Sequence, residues 1–114
     1  MLISEIIKIT DAALLTVESL TNTNVERAFA SDLMSDVLTL DTDNLLLITG
    51  LNNLQTIRTA EMAEIKFILF VRSKKPTPQM IELARNENMT LMVCSKSMFQ
   101  ASGLLFQAGL KPVY

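Results

Sequence analysis

The stretch LLLITGLNNLQTIRTAEM, residues 45–62, decides the fold of this chain. Four aliphatic residues lead into Thr49 and Gly50, two asparagines follow, and the remaining residues are typical of a helix. A strand that is apolar at every position indicates a sheet covered on both faces. The order strand, glycine, polar turn, helix is also how α/β proteins often build phosphate sites. Gly50 is therefore interpreted as the turn between a buried strand and a helix, and ligand binding at this turn is the question that follows.

The same rhythm continues towards the end of the chain. KFILFV (66–71) and TLMVC (90–94) are two further apolar strands. Thr77 and Pro78 are typical of an N-cap and first helical residue, and Ser95 or Ser97 can begin a last helix that ends at Gly109. Strands of this kind alternating with helices predict parallel βαβ units. Residues 111–114 are predicted to be a loose tail.

The N-terminal third has a different pattern. Residues 3–10 predict a short helix, 12–17 and 25–30 predict strands separated by the polar turn SLTNTN, and 32–38 predict a second short helix. We expect a three-layer α/β/α fold with a mostly parallel central sheet. The whole chain, 1–114, forms one domain in this prediction, with 1–43 as an extension and 44–110 as a βαβαβα core.

Composition excludes several function classes. The 114 residues include no histidine, no tryptophan and one cysteine, so they cannot build a zinc finger or a Ser-His-Asp triad. We predict no catalytic residue, no metal and no cofactor, and hence no enzyme. The apolar runs are far shorter than the roughly 20 residues of a membrane span. The acidic N-terminus does not resemble a secretory signal, and the single cysteine indicates a cytoplasmic protein.

The charges are unevenly distributed along the chain. Residues 1–57 carry two basic and eight acidic residues, a balance of −6, whereas residues 58–114 carry eight basic and four acidic residues, a balance of +4. The two halves can attract each other within one subunit or between subunits, so we expect a homodimer or a higher homo-oligomer. The net charge of −2 argues against nucleic-acid binding.

Polar loops follow all three apolar strands. Ligands of open parallel sheets bind beyond the carboxyl ends of the strands, where helix N-termini favour anions. If the strands are neighbours, this edge favours a phosphate or a carboxylate. The alternative is that these residues only solvate and cap the backbone, with Lys74 and Lys75 as solvated loop charges. The candidate ligand-binding residues are Thr49, Gly50, Asn52, Asn53, Arg72, Ser73, Ser95 and Ser97.

Other titratable residues have simpler interpretations. Arg58 and Glu61 are three apart and predict a surface ion pair on a helix. Asp32 and Asp36 are four apart on a predicted helix, where they are either a carboxylate pair or ordinary helix acids. Cys94, at the end of an apolar strand, is interpreted as a buried hydrophobic residue. The methionines predicted to fill a core or an interface include Met62, Met80, Met92 and Met98.

Three segments resemble the DRTGG-domain family: ERAFASDLMSDVL (26–38), residues 45–76 from LLLITG to VRSKKP, and SKSMFQASGLLFQAGL (95–110). The resemblance extends from about residue 3 to 111. Related domains occur in long phosphotransacetylases, beside CBS domains, and at the N-terminus of HPr kinase/phosphorylase. The resemblance implies a fold similar to the N-terminal domains of HPr kinase and MurF, and a regulatory role without an established reaction.

The chain departs from the family at its two defining motifs. Gly50-Leu51-Asn52 stands where the family has Gly-Asp-Arg, and Val71-Arg72-Ser73 stands where it has Thr-Gly-Gly. The first glycine alone is kept. We expect a non-catalytic regulatory or ligand-sensing domain that binds an anionic small molecule. The alternatives are an assembly module without a small-molecule site and a small phosphoryl- or acyl-transfer enzyme.

Overall fold

The helices and strands alternate along most of the chain, as the apolar pattern predicts. The computed structural model describes residues 1–16 and 22–114. The strands are β1 Ala13–Leu14, β2 Arg27–Ala30, β3 Leu45–Thr49, β4 Phe67–Phe70, β5 Thr90–Val93 and β6 Lys111–Pro112. The helices are α1 Ile3–Thr10, α2 Met34–Val37, α3 Leu54–Met62, α4 Pro78–Asn86 and α5 Met98–Gln107.

The six strands form one sheet in the order β1-β5-β4-β3-β2-β6. β2 to β6 run parallel to their neighbours, and β1 pairs antiparallel with β5. In the centre, Leu47 of β3 lies beside Ile68 of β4, which lies beside Leu91 of β5. The prediction of a mostly parallel sheet is confirmed, and β3, β4 and β5 are direct neighbours.

Helices cover both faces of this sheet, which gives three layers. Leu46 and Ile48 of β3 point to the face that carries α1 and α5, whereas Leu45 and Leu47 point to the face that carries α2, α3 and α4. Because alternate residues enter opposite cores, β3 is buried at all five positions. This explains why the strand is apolar throughout.

Helix starts are fixed by side-chain caps. The Asn53 side chain accepts a hydrogen bond from the Thr56 N–H at 3.1 Å, and Thr77 caps α4 with Pro78 as its first residue. The Ser97 hydroxyl accepts from the Gln100 N–H at 3.0 Å. Each cap satisfies an N–H that has no partner within its helix. The predicted helix starts near Asn53, at Pro78 and after Ser97 are confirmed.

The C-terminal residues are not a loose tail. Lys111–Pro112 forms β6, which pairs in parallel with the outer edge of β2. The Arg27 guanidinium donates to the Pro112 carbonyl at 3.0 Å, and the Tyr114 ring meets Phe29 edge-on at 6.2 Å between centroids. The sequence prediction was wrong because the pairing depends on the free edge of β2, and four residues that include a proline have no strand pattern.

The N-terminal strands are shorter than predicted. β1 covers two residues of the predicted 12–17, of which Val17 lies outside the described residues, as do 19–21 of the predicted turn. β2 begins at Arg27 and not at residue 25. The division of the chain into an extension and a core, and its grouping as one domain, stay predictions.

The predicted surface ion pair on α3 is wrong, and so is the assignment of Met62 to the core. Met62 leaves 69% of its surface exposed, and its assignment to an interface stays a prediction. Arg58 and Glu61 are both exposed, and no ion pair joins them in the described part of the chain. Water solvates both charges, so the three-residue spacing permits a pair without enforcing one. No helix within residues 1–16 and 22–114 is long and apolar enough to cross a membrane.

Candidate functional site

The loops after β3, β4 and β5 lie side by side at the carboxyl edge of the sheet. The Arg72 N–H donates to the Lys96 carbonyl at 2.8 Å, and the Ser73 N–H donates to the Cys94 carbonyl at 2.9 Å. The Asn52 side-chain amide donates to the Lys75 carbonyl at 3.2 Å. These bonds join the three predicted loops into one surface, which we call the carboxyl-edge site.

Asp32 brings a fourth loop into this site. It follows β2, the neighbour of β3, and its Oδ1 accepts hydrogen bonds from the Thr49 hydroxyl at 2.9 Å and the Gly50 N–H at 2.7 Å. The Thr49 hydroxyl also accepts from the Leu51 N–H at 3.2 Å. Thr49 is fully buried, so its hydroxyl needs these partners. Asp32 thereby fixes the end of β3 to the end of β2.

Arg72 faces the other oxygen of the same carboxylate. Its Nη2 lies 3.6 Å from Oδ2 of Asp32, and about half of each side chain is exposed. A pair so open to water contributes at most about 1 kcal/mol to stability. The contact connects the acidic half of the chain to the basic half within one subunit.

Gly50 leaves free the space that the Arg72 guanidinium occupies. Its backbone is not left-handed, unlike that of Gly109 at φ 109°. A Cβ added at Gly50 would overlap the Arg72 guanidinium, which lies directly against the glycine. Gly50 connects β3 to α3, as the sequence predicts, but its backbone conformation does not by itself require glycine. A side chain here would displace the Arg72 guanidinium from this position.

The backbone that carries Arg72 is strained. Arg72 has φ 57° and Ser73 has φ 56°, two consecutive residues in the left-handed region. Each costs about 1–2 kcal/mol for a residue with a side chain. The two hydrogen bonds to the loop after β5 hold this conformation, and such strain clusters at ligand clamps and other functional sites.

The remaining predicted site residues have different surroundings. Asn53 and Ser97 use their side-chain oxygens to cap α3 and α5. Ser73 and Ser95 are exposed. The structure therefore brings Thr49, Gly50 and Arg72 together around Asp32. The side chains of Asn53 and Ser97 instead cap the helices that follow them.

Sequence reasoning missed Asp32 as a member of this site. It placed Asp32 with Asp36 on a helix face, but α2 begins at Met34, so Asp32 precedes the helix. No group of three or more metal-binding side chains occurs in the part of the chain that is described. A position just after β2 was a usable signal, but the order of strands in the sheet was needed to interpret it.

The Cys94 thiol is not available for reaction at the carboxyl edge. It is 3% exposed and packs in the core beneath α1 and α5. Burial raises the pKa of its thiol, although the Lys96 backbone N–H and the Lys96 charge act in the opposite direction. The thiol is protonated at neutral pH, as the interpretation of Cys94 as a buried hydrophobic residue requires.

A second surface lies between α5 and the strands β2 and β6. A cavity of about 420 Å³ there has a mainly apolar lining, and we call it the α5 groove. Phe99, Phe106 and Tyr114 line it, although 89%, 65% and 86% of their surfaces are exposed. Ser102 also lines it, and its hydroxyl oxygen is buried without a hydrogen-bond partner in the described residues. Two phenylalanines seven residues apart, outside the buried stripe of α5, were the sequence signal for this surface.

Comparison with known proteins shows the fold. The chain is similar to the CBS and DRTGG domains of the regulatory region of Clostridium perfringens pyrophosphatase, crystallised with the activator diadenosine tetraphosphate. The TM-score is 0.72 at 20% identity, and the match covers 90% of this chain and 45% of that chain. No protein-family model matches the chain, and no curated protein does. The likeness supports the α/β fold, whereas the predicted likeness to HPr kinase and MurF stays a prediction.

Proposed function

We propose that this chain is a non-catalytic regulatory domain that binds an anionic small molecule at the carboxyl-edge site. The observation that carries the proposal is the position in which Arg72 is held. A strained backbone, fixed by hydrogen bonds to Lys96 and Cys94, presents the guanidinium over a glycine at the edge where ligands of parallel sheets bind.

The chemistry of the site favours a phosphate. A guanidinium is always charged and donates paired hydrogen bonds that match the oxygens of a phosphate or a carboxylate. Lys74 and Lys75 follow Arg72, and Lys96 belongs to the loop that Arg72 contacts. Four of the ten basic residues therefore belong to two adjoining loops. This concentration of positive charge attracts anions to an otherwise acidic protein.

The fold comparison supports a regulatory role. The pyrophosphatase region was crystallised with a nucleotide activator, which is an anion. We infer from the shared fold and the DRTGG resemblance that this chain is a DRTGG-type domain and responds to an anionic nucleotide or phosphate. Catalysis is not part of the proposal, because the chain contains no histidine and its one thiol is buried.

A thermal-shift panel of nucleotides and inorganic phosphates tests this function. At least one anion is expected to raise the melting temperature of the wild type, and Arg72→Ala should abolish that rise. Arg58→Ala is the matched control, because it removes another exposed positive charge, from α3, outside the carboxyl-edge site. No shift with any anion, or equal shifts in all three proteins, would reject the proposal.

A second candidate function is assembly through the α5 groove. Exposed aromatic residues concentrated at one sheet edge are typical of protein interfaces. A homodimer that covers Phe99, Phe106 and Tyr114 would also shield the outer strand β6. Sedimentation velocity at tens of micromolar decides this candidate, since a strict monomer would exclude it. The two functions are compatible, because a ligand can regulate an assembly.

A further inference from the structure

The Asp32 carboxylate already contacts the donors that an anionic ligand would use. Its Oδ1 accepts from the Gly50 N–H and the Thr49 hydroxyl, and its Oδ2 faces the Arg72 guanidinium. The protein thus places a negative charge of its own where the proposed function places that of a ligand. An anion bound to the Arg72 guanidinium therefore lies close to this carboxylate.

The two oxygens of Asp32 are held unequally. The bonds to Oδ1 measure 2.7 and 2.9 Å and come from the buried residues Gly50 and Thr49. The contact of Oδ2 with Arg72 is longer, 3.6 Å, and half exposed. Water already competes for this contact, so it is the weaker of the two attachments. Arg72 can leave Oδ2 while Oδ1 remains fixed.

We propose that Asp32 is an internal competitor for Arg72, so that an anionic ligand binds by taking the guanidinium from Oδ2. This inference rests on the proposed function and adds its regulation. Because Oδ1 stays anchored, the negative charge of Asp32 remains beside the ligand and repels it. A ligand that also reaches the lysines of the adjoining loops overcomes this repulsion. The site therefore selects an oligophosphate, with several charges along its length, over a small monoanion.

Replacement of Asp32 by asparagine separates competition from a purely structural role. Asp32→Asn keeps an oxygen that can accept from Gly50 and Thr49, but removes the charge that faces Arg72. Asp36→Asn is the matched control, because it removes an equal charge from α2, where Asp36 is exposed and its carboxylate makes no hydrogen bond in the described residues. A structural Asp32 predicts that both variants bind anions like the wild type.

Isothermal titration calorimetry with inorganic pyrophosphate compares its affinity for the wild type, Asp32→Asn and Asp36→Asn. Removal of a unit charge close to a bound anion is expected to tighten binding by Asp32→Asn about tenfold. Asp36→Asn should remain within about twofold of the wild type, because Asp36 is exposed and water and salt screen its charge. Equal or weaker binding by Asp32→Asn overturns the inference.

The outcomes distinguish the inference from the function on which it rests. If the wild type binds pyrophosphate through Arg72 and Asp32→Asn binds no better, the inference fails and the proposed function stands. If neither protein binds, both fail. Should Asp32→Asn not fold, NMR of the wild type replaces it: pyrophosphate should shift the Arg72 side-chain Nε–H signal. An unshifted Arg72 signal at saturation would then overturn the competition.

Discussion

The carboxyl-edge site and the α5 groove lie on one small domain but are built in opposite ways. At the carboxyl edge, Asp32, Thr49 and Gly50 satisfy one another with short hydrogen bonds, and Arg72 lies against them. In the groove, apolar rings face solvent and the buried Ser102 hydroxyl has no partner in the described residues. The first region is completed by its own side chains, whereas the second leaves apolar surface open.

Substitution of Thr49 should have the largest effect on folding. Thr49→Val removes a buried hydroxyl that donates to Asp32 and accepts from Leu51, which should lower the free energy of unfolding by about 2 kcal/mol. Thr90→Val is the matched comparison, since Thr90 is equally buried but its hydroxyl has no partner in the described residues. That variant should be as stable as the wild type or more so. Urea unfolding of both measures the difference, and equal losses would contradict the contrast.

A change in the groove should affect association more than folding. If the chain assembles through the groove, Phe106→Ser should weaken self-association about tenfold or more, because exposed aromatic residues often dominate interfaces. Its free energy of unfolding should change by less than about 0.5 kcal/mol. Met62→Ser, an equally exposed apolar position on α3 outside the groove, serves as the control in sedimentation. Equal effects of the two substitutions would remove the groove from the interface.

The glycines of the two regions should respond differently to a methyl group. Gly103, in α5, has open space around its Cα. Gly103→Ala should therefore raise the free energy of unfolding by about 0.5–1 kcal/mol, since alanine restricts the unfolded chain and favours the helix. Thermal unfolding checks the sign. A loss of stability would show that the groove side of α5 is more crowded than this structure indicates.

Gly50→Ala should affect binding more than stability. The Arg72 guanidinium is the far end of a flexible side chain and can move away from the new methyl group. The cost in unfolding free energy should stay below about 1 kcal/mol, the worth of an exposed ion pair. Pyrophosphate binding should nevertheless weaken, because the methyl group moves the guanidinium from its position against residue 50. Unchanged binding in a calorimetric titration would show that the close approach has no role in recognition.

Most of the fold could be predicted from local patterns. The strands β3, β4 and β5 are apolar at nearly every position because both faces of the sheet are covered, and the caps Asn53 and Thr77 have the residue types that helix starts prefer. β6 could not be predicted, because its pairing depends on the free edge of β2 and not on its own residues. Local sequence patterns predict single helices and strands, whereas the pairing of an edge strand depends on the strand beside it.

The same distinction applies to the site. Thr49 ends β3, and Gly50 and Arg72 lie just beyond β3 and β4. These strands are consecutive in the chain and adjacent in the sheet, so the proximity of the three residues could be predicted. Asp32 follows β2, whose place beside β3 is not encoded in any local pattern. The reason for a glycine at position 50 could not be predicted either. The guanidinium that occupies the space of a side chain there belongs to Arg72, 22 positions later.

A crystal structure of the protein with inorganic pyrophosphate tests the central claim most directly. We expect pyrophosphate density within hydrogen-bond distance of the Arg72 guanidinium, with Arg72 turned away from Oδ2 of Asp32 and Oδ1 still bonded to the Gly50 N–H. Saturating pyrophosphate that leaves Arg72 against Asp32 and produces no density at the carboxyl edge would contradict the account.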